Sequence, residues 1–280
     1  MAPAEAAPAP QGEAPRPGPS LWRRVFFPNQ VIGQPLLLMV TAFWVAAALV
    51  LWSASPWQSL PGPGEVVRAF GTLWWQQGMG PELFSTLKLI LHATFLTVVI
   101  SMVLSYTSII ASFRPLVAAA SKLRFLGLTG LVFPFTLLTG GGHTLKVWLL
   151  TFGMSTFFVT AMAQAVLDIP REQFDYMRVL GAGEGRIFWE VVVRGTLDRA
   201  LDTLRQNLAI GWAMITMVEG ISRAEGGVGA LILNQNKHFH LAEVYAVLIA
   251  ILVVGLLLDY LMGLAVRVLC PHVLLQRVKR

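Results

Sequence analysis

The chain has 280 residues, of which 55% are hydrophobic and only 13% charged, about half the charged share of soluble domains. Together with a mean hydropathy of +0.65, this composition excludes a water-soluble globular enzyme and an intrinsically disordered chain. The net charge of +6 would suit a polyanion, and the single cysteine, Cys270, excludes an intramolecular disulfide framework and a cysteine-built metal site.

Residues 1–20 are rich in Ala and Pro and hold too few bulky apolar side chains to offset the entropy of ordering, so they read as a disordered cytoplasmic tail. Residues 21–58 comprise an N-terminal segment and a first transmembrane helix, Leu36–Trp52, whose length approaches the hydrocarbon thickness of a bilayer. The core region, 59–280, opens on a stretch broken by Pro and Gly. An interfacial helix carrying Trp74 and Trp75 follows over Val66–Gln77. Further spans are predicted at Leu87–Phe113, Phe125–Thr139, Leu145–Leu167, Leu204–Ile221 and Val244–Leu269. The expected fold class is an all-α integral membrane protein with about six transmembrane helices.

With the N-terminus inside, only Arg68, Lys88, Lys146, Arg223 and Lys237 of the 21 Lys and Arg fall on the outer side. Basic residues are retained in the cytoplasm, so this asymmetry predicts both termini inside. It also accounts for the basic balance without nucleic acid.

The longest cytoplasmic connection, 168–203, is too amphipathic for a slack linker. Phe174, Met177, Val179 and Leu180 recur at helical spacing, Gly181 to Gly185 interrupt them, and Ile187, Phe188, Val191 and Val192 resume the pattern. Two short helices meeting at a glycine elbow would present an apolar knob flanked by charges, a shape for docking another protein. A solvated loop on the membrane surface would show a similar pattern.

Gly181, followed after six residues by Phe188 and then Val191, resembles the cytoplasmic motif of ABC-importer permeases. Leu60-Pro61-Gly62-Pro63, Leu204-Arg205, Trp212, Glu219, Gly226-Gly227-Val228-Gly229, Asp259, Arg267 and Pro271 resemble, in order, the nitrate/sulfonate/taurine/bicarbonate-type permeases. The sequence departs from that pattern at Asp175-Tyr176-Met177, at Val193-Arg194 and in residues 125–130, which lack the expected prolines. The resemblance implies a type I ABC-importer permease fold with the coupling loop within 168–203. It implies an ATPase-docking segment holding Asp175, Tyr176, Met177, Gly181, Ala182, Phe188 and Val191. The implied partners are two ABC ATPase subunits, a second permease copy or homologue and an extracytoplasmic solute-binding protein in a bacterial inner membrane. No cofactor is then bound directly, because ATP and Mg belong to the ATPases. The chain has no Walker-type loop of its own.

Charged side chains within spans are costly and mark candidate sites. Arg205, Trp212, Thr216 and Glu219 are candidates for a translocation path or gate. Trp212, Thr216 and Glu219 share a helix face through spacings of four and three, and Glu219 suits either a gate or a buried interhelical hydrogen bond. Arg205 reads as a phosphate-facing or carbonyl-capping residue, Asp259 as half of an ion pair, Lys88 and Lys146 as snorkelling outward, and His92 as a core histidine. The outer loop NQNKHFH, residues 234–240, lacks the carboxylate or cysteine support of a metal site. Two other classes compete with the importer reading: a secondary transporter or channel, and an intramembrane serine protease built on Gly153-Met154-Ser155.

Overall fold

The computed structural model describes residues 33–55, 60–222 and 225–269. The expectations for residues 1–20 and for Arg223, Cys270, Pro271, Arg277, Lys279 and Arg280 lie outside these. Among the described residues every regular element is helical.

Two units divide the chain at residue 57. The first holds α1 (Gln34–Ser53), which begins at Pro35, carries no charged residue and buries none of its side chains. Proline suits a first helical turn, where its missing N–H has no partner to lose. The second unit holds α2 (Pro63–Gln76), α3 (Met79–Thr107), α4 (Arg114–Lys122), α5 (Leu128–Thr139), α6 (Gly142–Leu167), α7 (Arg171–Val179), α8 (Glu184–Ile187), α9 (Leu197–Ile221), α10 (Val228–Lys237) and α11 (Leu241–Leu269). Among the described residues, four helices are long and apolar enough to cross a membrane: α1, α3, α6 and α11. The segment 111–125 and α5 together make a fifth candidate, bent by 114°.

Three predicted spans differ from the structure in instructive ways. The one starting at Leu87 begins eight residues earlier, at Met79, and ends at Thr107. Short 3-10 turns and α4, which starts at Arg114-Pro115, then replace its expected continuation. The short third span shrinks to α5, whose 12 residues enclose Pro134 and reach only ~18 Å, too little to cross alone. The fifth, around α9, forms at sufficient length, but its Asp, Arg, Gln and Asn residues leave it outside the apolar candidates. Asn207 and Glu219 are buried within the protein, whereas Arg199, Asp202 and Gln206 are exposed.

Helix α6 is the centre of the second unit, with α3, α4, α5 and α9 packed on it. The α3–α6 seam is built from small residues: Ala93, Thr97 and Ser101 of α3 face Thr151 and Ser155 of α6. Thr97 Oγ1 donates to the Thr151 carbonyl at 3.5 Å, Thr151 Oγ1 to that of Ala93 at 3.4 Å, and Ser101 Oγ to that of Ser155 at 3.5 Å. Close backbone approach and interhelical hydrogen bonds drive association where lipid offers no hydrophobic contrast. Gly153 abuts Leu128 and Met214, and Gly211 meets Met154. These contacts account for Gly153 and Ser155 as packing positions. The expected core histidine, His92, is exposed and stacks at 6.3 Å on His143.

Candidate functional site

At the end of the bundle where α6 terminates, the chain emerges as α7, turns sharply and returns through α8. The stop of α7 is fully determined locally. Gly181 N donates to the Arg178 carbonyl at 2.9 Å and Ala182 N to that of Met177 at 3.1 Å, the paired bonds of a Schellman cap. Gly181 holds φ +76, as that cap requires. Across the elbow Arg178 pairs with Asp175 at 3.1 Å and with Glu184 at 2.9 Å. The Arg178 guanidinium, by hydrogen bond and charge, holds the Glu184 carboxyl below its ordinary range.

The return strand of this elbow is a π-helical segment, residues 188–194. Gly195 ends it, at a position where a Cβ would run into the Val191 carbonyl. Of the residues expected to dock a partner, Asp175, Tyr176 and Gly181 are exposed and Ala182 is half-buried. Val179 is the most open, at 86%. Phe188 is turned partly inward and packs edge-on against Tyr106 at 6.0 Å. Val191 departs from the expected knob, because it is buried to 7% exposure and forms, with Tyr176 and Met177, the wall of a shallow cavity of about 470 Å³. The two residues seat the segment on the bundle, while α7 and the elbow supply its outer face.

The opposite end of the bundle carries a buried polar hub. Glu219 accepts hydrogen bonds from Thr86 Oγ1 at 2.6 Å and Gly229 N at 2.8 Å. Val228 N donates to Thr86 Oγ1 at 3.0 Å, Gly227 N to Glu82, and Lys146 Nζ to the Gly226 carbonyl at 2.8 Å. Three consecutive amides at the start of α10 are thereby satisfied by α3 and α9 side chains, which places two carboxylates at the positive end of a helix. Lys146 is 3% exposed, and Glu219, Glu225 and Glu82 all act on it electrostatically. The snorkelling expectation for Lys146 is therefore corrected: its ammonium stays inside the bundle on the Gly226 carbonyl. Lys88 is exposed, with its ammonium 4.7 Å from the Phe84 ring centroid.

Along α9, Trp212 is buried and donates Nε1 to the Ile251 carbonyl at 2.9 Å. Arg205 forms a bidentate ion pair with Asp259, at 2.6 and 2.5 Å, which corrects its phosphate-facing or carbonyl-capping reading and matches that for Asp259. Gly255 and Gly263, one turn either side of Asp259, leave room for the Trp212 indole and the Arg205 guanidinium. The face bearing Trp212 and Glu219 is consequently engaged within the chain, with Thr216 half-buried beside it. The open face of α9 is a different one: Asp202, Gln206, Ala209, Ala213 and Met217, at spacings of four and three. Sequence reasoning did not single out this stripe, because three of its five members, Ala209, Ala213 and Met217, carry no polar signal. It also missed Thr86 and Glu82, whose partners lie more than 130 residues away.

Residues 94–274 match the family model described as a binding-protein-dependent transport system inner membrane component. Probable ABC transporter permease proteins of Brucella melitensis and Brucella abortus are each 26% identical over 214 residues, covering 74% of this chain and 84–85% of theirs. Two solved structures of the methionine ABC transporter MetNI in inward-facing conformations share its fold, with TM-scores of 0.58 and 0.62 at 18% and 19% identity. Each alignment covers 71% of this chain and 97% of the other. Matched over more than half its length, the chain belongs to the family of binding-protein-dependent transport system inner membrane components, the permease subunits of ABC importers, with a type I fold.

Proposed function

We propose that this permease works as one of a pair, with an ATPase subunit docked on α7 and the elbow of each, and that it moves a small oxyanion handed over by an extracytoplasmic binding protein. The observation that carries the docking role is the rigid, outward-facing elbow: Tyr176, Val179 and Leu180 stand exposed on a helix whose stop is fixed by Gly181 and braced by Arg178. Exposed apolar side chains on a preorganised scaffold bind a partner without a large ordering cost. Phe188 and Val191 transmit its displacement, because they join the elbow to the end of α3 and to the bundle.

The open stripe of α9 lines the path between the two permeases, with Asp202 and Gln206 as its polar residues. Arg205 sets the α9–α11 spacing through Asp259, and Trp212 and Thr216 keep the helix in register. Glu219 gates the outer end by holding or releasing the start of α10. ATP hydrolysis occurs in the partner and shifts the population between inward- and outward-open states through contacts that differ in each. The oxyanion class rests on the resemblance of Leu60-Pro61-Gly62-Pro63, Glu219 and Gly226-Gly227-Val228-Gly229 to the nitrate/sulfonate/taurine/bicarbonate-type permeases. Both termini face the cytoplasm, since the elbow end of the bundle carries most of the Arg and Lys.

The test is uptake into proteoliposomes containing the chain, its ATPase and its binding protein, with labelled nitrate, taurine, bicarbonate and methionine offered in turn. ATP-dependent accumulation of one of the first three supports the reading. Accumulation of methionine alone would overturn the solute class, and uptake without ATP would overturn the mechanism.

A further inference from the structure

Where the end of α3, helix α4 and the last turns of α6 meet, a cavity of about 380 Å³ lies that none of these roles uses. It sits at the same end of the bundle as the elbow, since α7 follows the last turn of α6 directly. Its polar lining includes Ser108, Arg114, Ser121, Lys122, Arg124 and Gln164. Val117, Ala163 and Leu167 supply an apolar floor.

Two features suit this cavity to an anion. Arg114, Lys122 and Arg124 converge here, and among the described residues none of them pairs with a carboxylate. Asp168, bonded to the lining residue Gln164 at 2.8 Å, is also engaged by Arg199 at 3.5 Å. Converging like charges repel unless an anion lies between them. Independently, the Ser108 hydroxyl is buried, with the residue 1% exposed, and has no hydrogen-bond partner among the described residues. Buried hydroxyls are nearly always satisfied. Arg114 Nε donates to the Ser108 carbonyl at 3.1 Å, which fixes the guanidinium at the rim and leaves its terminal nitrogens to a ligand.

The rim identifies the kind of anion. Phe113, Leu116, Leu123, Phe125 and Leu126 are all exposed around α4 and its flanking turns, and the Arg124 guanidinium lies 5.1 Å from the Phe125 ring. Cations at a helix end, bordered outward by large apolar side chains, match the headgroup level of a bilayer. We propose that this cavity binds the headgroup of an anionic phospholipid. Arg114, Lys122 and Arg124 take the phosphate, the Ser108 hydroxyl donates to it, and the acyl chains run along Phe113, Leu116 and Phe125. A zwitterionic lipid would set its own cation among three others with no free carboxylate to balance it.

The experiment is native mass spectrometry of the full chain in detergent, titrated with phosphatidylglycerol, phosphatidylcholine or inorganic phosphate. The expected result is selective retention of phosphatidylglycerol. Juxtamembrane basic residues each contribute about fivefold in affinity, so the combined Arg114→Gln, Lys122→Gln, Arg124→Gln variant should lose on the order of a hundredfold. Should that variant not fold, Ser121→Glu, which adds a carboxylate to the cavity, must cut retention while Lys122→Arg preserves it. Equal retention of the two lipids, full retention by the variants, or displacement of the lipid by millimolar phosphate alone would overturn the proposal.

Discussion

Replacing Glu219 by Gln keeps the shape of the outer hub and exchanges one acceptor oxygen for an NH2 donor. Gly229 N must still meet an oxygen, so the amide has to turn its carbonyl toward Gly229 and its NH2 toward Thr86. Thr86 Oγ1 already accepts from Val228 N. It would then accept twice, and its own proton would have no acceptor. A buried donor left unsatisfied costs about 1–3 kcal/mol, a factor of roughly 5–150 in a local opening equilibrium. Hydrogen exchange followed by mass spectrometry on a peptide spanning residues 226–231 should report that acceleration at Val228 and Gly229, with exchange in α6 unchanged. Uptake should uncouple from ATP hydrolysis in the same variant while the complex still assembles. Wild-type exchange at Gly229 would refute the hub as the anchor of α10, and wild-type coupling would refute Glu219 as a gate.

Three further outcomes follow from the elbow and from α9. Gly181→Val forces a β-branched residue to φ +76, a strain of about 1–3 kcal/mol, so less ATPase should copurify with that variant; an unchanged yield counts against the elbow. Ala213→Trp fills the open stripe of α9, where the residue is exposed; surface changes usually cost within about 0.5 kcal/mol, so thermal stability should hold while uptake stops. Because Arg178 lowers the Glu184 pKa, the stabilisation from this pairing is fully present above the ordinary glutamate value near 4.3 and is lost as pH falls through the depressed folded value. Exchange at Gly181 and Ala182, corrected for its intrinsic pH dependence, should therefore stay level from roughly pH 8 down to about 4.3 and rise as pH falls from there through the depressed folded value. A rise near neutrality would contradict the pairing.

Much of the helical framework is legible in sequence because a bilayer imposes length and apolarity together: α1, α6 and α11 lie within a few residues of their predicted spans. Gly181 is legible too, since a glycine between two helical patterns announces a left-handed cap. Partnership is not. Lys146 reads as a snorkelling lysine from its neighbours in sequence, and only the fold brings the Gly226 carbonyl to its ammonium. Val191 carries the same hydrophobic signal whether it faces a partner or the bundle, and the π-helical turn ahead of Gly195 rotates it inward. The packing of α9 follows a related rule: in a membrane helix the polar residues are those most in need of partners inside the chain, so Trp212 and Glu219 are engaged while Ala209 and Ala213 stay exposed.

Coupling through the elbow is tested most directly by site-specific photocrosslinking in native membranes from two exposed positions at opposite ends of the bundle. A crosslinker at Val179, 86% exposed beside the elbow, should capture the ATPase subunit, with a yield that changes on adding ATP. One at Phe239, 84% exposed between α10 and α11, should capture the binding protein and never the ATPase. Capture of the ATPase from Phe239, or its absence from Val179 in a complex that still transports, would contradict the account.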